Sequence, residues 1–446
     1  MKRLLRRVAL ALVLLVALGA VAAVLWAKRV APDFPANLAL IEKPDPAPEK
    51  KVVSKHLTLV NGLPVVHVWG SPRDMGRQQG EALKEQVRRV IQVYLYGMVR
   101  DKWGYQLDYQ RKCAQAMLPH IPPEFIEEMK GIAEGAGVDY EEVLLLHTHA
   151  DMVHYGKGWP NRNAQPPTAG GCSNFAAFGE ATVDGKLYHG RNLDWTTESG
   201  VQSYAAVIIG EPQQGVPFAQ VGWAGCVGSV TGMNAEGITF GEMTSSSSDE
   251  TLDGMPLFFM ERHILQHCRD LDQVVQFVQQ TPRTTGWNFL IADGDARDAR
   301  ALELDATGVA VFRPNDPAED HPPVSSPLKD ALRRTNHYVD PGQQAKQAKR
   351  YDVSNLTLGR ALLLSQDTWR RYEALRQWIE DDYRGKIDAR LARAFLQSAP
   401  VAGDGNLHSV VFAPTDREMW VANASPQGPA WAQPYVHIDL KEWLRK

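Results

Sequence analysis

The spacing of apolar and polar residues divides the chain into segments of different texture. Residues 55–70, KHLTLVNGLPVVHVWG, alternate around Asn61-Gly62, which predicts two strands joined by a tight turn. The pattern then becomes helical, with Leu83, Val87, Val90, Ile91 and Tyr94 on one face. A second helix is predicted over 122–138, opened by Pro122 and Pro123 and closed by glycines, and a third over 139–153. Residues 156–171 are polar and proline-bearing and read as an exposed loop. After Gly171 the period falls to two. Ser173 to Thr182 reads as a strand, Asp184-Gly185 as a hairpin turn and Lys186 to Asn192 as the returning strand. More strands come next, then one helix carrying Phe259, Ile264, Leu265, Cys268, Leu271, Val275 and Val278. Further strands, helices over about 358–398 and a closing hairpin complete the chain. Blocks of strands interrupted by paired helices predict an α+β layered fold rather than a parallel α/β sheet.

The first residues stand apart from this pattern. Val8 to Ala27 is 20 residues without a charge, about 30 Å as a helix and enough to span a bilayer. Lys2, Arg3, Arg6 and Arg7 precede it and predict that the rest of the chain is exported to the cell envelope, outside the cytoplasm. Residues 1–29 therefore read as an anchor in the inner membrane, with a cleaved signal peptide at Ala20-Val21-Ala22 as the rival. Residues 30–54 begin with a proline-rich, charged stretch and read as a linker.

Composition adds exclusions. The net charge of −4 over 446 residues gives no basic field for nucleic acid. No phosphate loop or dinucleotide fingerprint is present, so no cofactor is expected. The cysteines Cys113, Cys172, Cys226 and Cys268 are not spaced as a disulfide framework.

Cys172 draws attention by its setting. Gly170 and Gly171 precede it, a loop lies before them and a strand comes after, as scission at Gly171–Cys172 would require. A freed Cys172 carries a thiol and an α-amine with an ordinary pKa near 8, which can take the thiol proton. Arg191 falls on the Cys172 face of the predicted hairpin and favours the thiolate. Asp194 falls on the other face and reaches Cys172 only if the strand bends or bulges near Asn192. The plainer reading makes Arg191 and Asp194 a strand-end ion pair. A rival site is HTHADMVH, in which His147, His149 and Asp151 suggest a zinc-dependent hydrolase with His154 close by. Against it, Met152 stands where that motif wants histidine, and residues two apart on a helix do not face each other.

The stretch GCSNFAAFGEATVDGKLYHGRNLDW, residues 171–195, resembles the acyl-CoA:6-aminopenicillanate (isopenicillin N) acyltransferase-like family of self-cleaving N-terminal nucleophile hydrolases. GSPRDMGRQQG (70–80), GSVTGMNAEGITFGE (228–242), RTNHY (334–338), TWRRY (368–372) and HSVVFAPTDREMWVA (408–422) are similar to further family elements in the same order. The resemblance implies a four-layer αββα sandwich. It implies cleavage before Cys172 into an N-terminal segment, 55–171, and a catalytic segment, 172–446, that stay associated. It makes Cys172 the nucleophile flanked by Arg191 and Asp194, and Asn336 the oxyanion donor. Arg371 matches a later arginine near the site. Asn336 also reads as a turn residue, and Arg371, beside Arg370 and Arg376, as part of a solvated helix face. Two departures stand out: Ser173 replaces the usual threonine, and Thr244 stands where related penicillin V and bile-salt acylases carry a second asparagine. The expected activity is hydrolysis or acyl transfer at the amide of a small N-acyl compound. A non-catalytic envelope binding protein on the same fold is the alternative from another class.

Overall fold

A computed structural model describes residues 48–156, 171–320, 326–347 and 358–445. The apolar stretch 8–27 lies outside the described residues. Among the described residues no helix is long and apolar enough to cross a membrane.

Strands β1 (Lys50–Val52), β2 (Leu57–Val60) and β3 (Leu63–Gly70) open the domain. The predicted turn joins β2 to β3, with Asn61 and Gly62 at φ 47° and 85°, both left-handed as a two-residue hairpin turn demands. Five helices come next: α1 (Pro72–Ala82), α2 (Lys84–Val90), α3 (Leu107–Met117), α4 (Pro123–Ala136) and α5 (Tyr140–His154). A wide π-helical stretch, Ile91–Lys102, prolongs α2. Leu83, Val87, Val90, Ile91 and Tyr94 are all buried, as their spacing predicts. Asp139 and Glu142 form a capping box at the start of α5. Helices α1 and α4 meet through glycines. A Cβ on Gly76, Gly80, Gly131 or Gly135 would stand 2.0–2.5 Å from a backbone oxygen of the other helix.

The chain then forms β4 (Ser173–Ala177), β5 (Tyr188–Asp194), β6 (Ala205–Pro212), β7 (Phe218–Trp223), β8 (Thr231–Asn234) and β9 (Ile238–Thr244). The single helix expected beyond them is two, α6 (Leu257–His267) and α7 (Leu271–Gln280), with Asp270 capping the second. The chain continues through β10 (Trp287–Asp293), β11 (Asp298–Leu304), β12 (Val309–Phe312), β13 (Ala331–Arg334) and α8 (Pro341–Lys346). It ends with α9 (Leu358–Arg376), α10 (Ala389–Leu396), β14 (Asn406–Ala413), β15 (Glu418–Asn423) and β16 (Val436–Asp439).

Among the described residues the strands form a ten-stranded sheet, β1-β2-β3-β6-β7-β8-β9-β10-β11-β12, and a six-stranded sheet, β13-β4-β5-β14-β15-β16. Among these strands only β3 and β6 pair in parallel. The N-terminal segment, 55–171, is thus more than helical, because β2 and β3 extend the larger sheet; β1, at the end of the stretch 30–54 that reads as a linker, pairs with β2 and joins the same sheet. Alternation along the strands builds the layers. Val410 and Phe412 of β14 meet Val207, Ile209 and Val221 between the sheets. Val411 and Ala413 face outward onto Trp378, Phe395 and Leu396 beside α9 and α10. Helices α1 to α7 cover the outer face of the larger sheet. The chain is a four-layer α+β sandwich.

Candidate active site

The junction of Gly171 and Cys172 enters β4 at the edge of the inter-sheet space. The expected two-residue hairpin at Asp184-Gly185 is not formed. Ala177 pairs with Tyr188 instead of the residue-192 partner such a turn would set. Asp330 causes this: its carbonyl takes the Phe178 N–H at 3.0 Å and its carboxylate the Glu180 N–H at 3.2 Å, drawing the chain into a short turn. The displacement is even in number, so no side chain of β5 changes face.

Arg191 therefore sits opposite Asn174, on the Cys172 side. It is fully buried. Its Nε donates to Thr231 Oγ1 at 2.7 Å, and its Nη1 to the Asn192 carbonyl at 2.8 Å. Nη2 lies 3.6 Å from Glu242. The thiol of Cys172 is buried and donates to the Asp194 carbonyl oxygen at 3.5 Å. Burial pushes this thiol up to about 11; Arg191 pulls it down, and Glu242 and Asp194 push it further up.

The Asp194 side chain faces away from the thiol, as alternation requires. The irregularity lies not in β5 near Asn192 but across from it. In β14, Asn406 pairs with Asp194 and His408 with Leu193, so Leu407 is bulged. Asn406 Nδ2 donates to Asp194 Oδ1 at 2.8 Å. A Cβ built on Gly171 would stand 3.3 Å from Asp194 Oδ2 and 3.3 Å from Arg371 Nε, so both groups lie at the junction. Burial raises the Asp194 carboxyl to about 7, against the pull of Arg371, Asn406 and Arg191.

Arg371 is no solvated helix residue. It is buried, donates to the Cys172 carbonyl oxygen, and reaches Ser173 Oγ and Asn336 Oδ1, each at 3.1 Å. Asp367 holds its Nε at 2.9 Å. Asn336, just beyond β13, donates Nδ2 to the Thr244 carbonyl at 2.9 Å, and its backbone N–H to Thr368 at 2.9 Å. The structure thus brings Cys172, Arg191, Asp194, Asn336 and Arg371 to one junction.

Glu242 joins them: it closes the element GSVTGMNAEGITFGE, but the sequence assigned it no role. It is buried in β9 beside Arg191 and lines a cavity against Cys172. Burial raises its carboxyl to about 7, with Arg191 opposing. Its one sequence signal is a single carboxylate in the apolar strand GITFGEM. The cavity walls are mainly apolar. Val90, Leu146 and Ala150 come from the N-terminal segment, and Leu193, Val230, Leu257 and Phe258 from the rest. Its polar part includes a chain in which Trp195 Nε1 donates to Tyr94 Oη at 2.8 Å and Tyr94 Oη donates to His149 Nε2 at 3.0 Å.

The zinc reading is overturned by where the ligands point. His147 donates Nδ1–H to the Val143 carbonyl and accepts the Val227 N–H at Nε2, each at 2.7 Å. His149 spends Nδ1–H on the Leu146 carbonyl at 2.6 Å and Nε2 on Tyr94. Asp151 accepts the Leu257 N–H at 3.1 Å, at the start of α6, and the Thr284 hydroxyl at 2.5 Å. Among the described residues no three His, Cys, Asp or Glu side chains converge on a metal position.

A family model described as acyl-coenzyme A:6-aminopenicillanic acid acyl-transferase matches residues 181–428. An uncharacterized protein of Archaeoglobus fulgidus is 28% identical over 362 residues, 76% of this chain and 58% of its own length. Protein dcd1A of Dictyostelium discoideum is 22% identical over 433 residues, 86% of this chain and 87% of its own. Dcd1B of the same organism is 26% identical over 314 residues, covering 64% and 58%. The chain thus spans little more than half the length of two of these relatives. Among solved structures, the Caenorhabditis elegans N-acylethanolamine-hydrolyzing acid amidase ortholog aligns with TM-score 0.40 and 16% identity, over 55% of this chain and 93% of that one. Penicillin V acylase from Agrobacterium tumefaciens aligns with TM-score 0.38 and 12% identity, over 61% and 87%.

Proposed function

This chain belongs to the acyl-coenzyme A:6-aminopenicillanic acid acyl-transferase family, and from that premise we propose that it is a self-cleaving enzyme of the N-terminal nucleophile type. Cys172 is its nucleophile, and its target is the amide bond of a small N-acyl compound. The family match begins after Cys172, so the nucleophile is argued from the site. The observation that carries the reading is the convergence of Arg191, Asp194, Asn336 and Arg371 on the Gly171–Cys172 junction.

In the first reaction Cys172 Sγ adds to the Gly171 carbonyl carbon. The carbon–nitrogen bond to Cys172 breaks, the nitrogen takes the proton that the thiol gave up, and Gly171 is left as a thioester on sulfur. Water then hydrolyses the thioester, giving the Gly171 carboxylate and a free Cys172 thiol and amine. The amine is the base of the second reaction, because its ordinary pKa near 8 suits neutral pH. Asp194, on the amine side of the junction, holds the ammonium; Arg191, on the thiol side, favours the thiolate. The substrate carbonyl is attacked, the amine product leaves with the proton, and the acyl group remains on Cys172 until water or a second amine takes it. Asn336 supplies a fixed donor to the oxyanion. The apolar cavity beside Cys172 suits an apolar acyl group. With the charged start and apolar run of residues 2–27 directing export, acyl-CoA is absent from the working compartment, and hydrolysis is the favoured outcome.

Intact-mass measurement tests this reading. The purified protein should be two fragments, the second starting at Cys172, and Cys172→Ala should remain whole. A wild-type chain that stays single while hydrolysing N-acyl amides would overturn the free-amine mechanism.

A further inference from the structure

The loop between α10 and β14 packs on Asp194 in a way that the cleavage chemistry leaves unexplained. Asn406 is fully buried. Its Nδ2 serves Asp194 Oδ1 at 2.8 Å and the His408 carbonyl at 3.0 Å, and its Oδ1 accepts the Trp431 N–H at 2.8 Å. Nδ2 also reaches the Leu193 carbonyl at 3.3 Å, so both polar atoms of that amide are committed, and the amide cannot turn over without breaking all of these bonds. Gly403 lies against the other carboxylate oxygen. A Cβ there would stand 2.2 Å from Asp194 Oδ2, closer than two atoms can approach. Trp431 ties both residues together, since its indole Nε1 donates to the Gly403 carbonyl at 2.9 Å. The Trp195 N–H donates to the Gly405 carbonyl at 2.9 Å and pins β5 to the same loop. The bulge at Leu407 sets Asn406 opposite Asp194 in the first place.

We propose that Asn406 and Gly403 are positioning residues for Asp194: one grips its carboxylate by a hydrogen bond, the other leaves the space it occupies, and together they hold it against the Gly171–Cys172 junction. The proposal rests on the reading that this junction is cut and that Asp194 acts on the Cys172 nitrogen. A merely structural amide would brace the bulge and nothing else. A positioning amide also favours the ionised carboxylate, because it donates to the charged form. Arg371 and Arg191 act in the same direction and Asp367 against it, and neither an Asn406 nor a Gly403 substitution alters any of these three residues.

The test uses the full chain made by cell-free translation and shifted to buffers between about pH 5 and 8, with cleavage followed by intact mass. No substrate is needed. Asn406→Ala should slow cleavage on the order of 10- to 100-fold, the range for a lost hydrogen bond to a charged group, and move the acid limb of the rate to higher pH. Asn406→Asp keeps the shape and covers the case in which the alanine variant does not fold. Its second acid opposes ionisation of Asp194, so the limb should again move up. Gly403 has no left-handed backbone angle, so Gly403→Ala keeps an allowed backbone; it should slow cleavage with Asn406 untouched. Asp194→Asn is measured alongside. If it cleaves like wild type, the role given to Asp194 fails. If it is slow while Asn406→Ala, Asn406→Asp and Gly403→Ala cleave at the wild-type rate with the limb unmoved, the positioning proposal is overturned and the reading of Asp194 stands.

Discussion

Asn336 hands its side-chain amide to the backbone oxygen of Thr244 at 2.9 Å. Arg371 holds the other end of the same group at 3.1 Å, so the orientation of the amide is fixed and one N–H is left to offer. Asn336→Ala should lower kcat by about 10²–10³-fold, the cost of one oxyanion donor, with less effect on KM. Chain cleavage should slow in parallel, because attack on Gly171 passes through a similar oxyanion. Turnover, processed fraction and thermal midpoint on one preparation decide the matter. A processed mutant with normal kcat and a lowered midpoint would make Asn336 a turn residue only.

Phe175 lies across Gly190 in the β4–β5 pair. A Cβ on Gly190 would stand 2.3 Å from its ring. Gly190→Ala should destabilise by about 1–3 kcal/mol, the usual cost of overfilling a packed site. Phe175→Leu in the same chain should recover part of the loss in denaturant unfolding, and an additive pair of losses would count against the contact.

Asp151 gives a pH dependence with a definite sign. Burial, opposed by Thr284 and the Leu257 N–H, raises its carboxyl from an ordinary 3.8 to about 7. Between those values the folded protein keeps a proton that the unfolded chain has released. This group's contribution to stability therefore falls as pH rises through the window and levels off above about 7. Asp151→Asn removes the titration. Its thermal midpoint relative to wild type should climb from pH 4 to pH 7 and then stay level; a difference independent of pH would show the shift to be absent.

Removing metal should change nothing. Dialysis against a chelator is expected to leave turnover and midpoint as they were, since the ring nitrogens of His147 and His149 are committed within the protein. His147→Phe should cost about 1–3 kcal/mol by stranding the buried Val227 N–H. Stoichiometric zinc lost together with activity would reverse this view.

Much of the site was legible because alternation is robust. The face of Arg191 survived a mistaken hairpin, since the true register differs by an even number of residues. The two-residue turn at Asn61-Gly62 was readable from local chemistry. The turn after β4 was not, because Asp330, far along the chain, captures it. The break between α6 and α7 was hidden in a continuous apolar stripe, although Asp270 is a cap signal. Arg371 looked like a surface residue because its partners, Cys172 and Asn336, are remote in sequence. Asn406 and Gly403 carried no signal at all: their role exists only through a bulge and a tryptophan, which no local pattern encodes.

The parallel pairing of β3 with β6 has a further consequence. If the chain is cut before Cys172, these two neighbours in the middle of the larger sheet belong to different polypeptides. The uncut chain folds as one molecule, with its halves tethered. The cut enzyme, once unfolded, has to reassemble from two pieces by collision. Renaturation of the Cys172→Ala chain should therefore be independent of protein concentration, while that of the mature enzyme should fail on dilution. Scission would make assembly irreversible in practice, and the lifetime of the active form would be set by how slowly it comes apart.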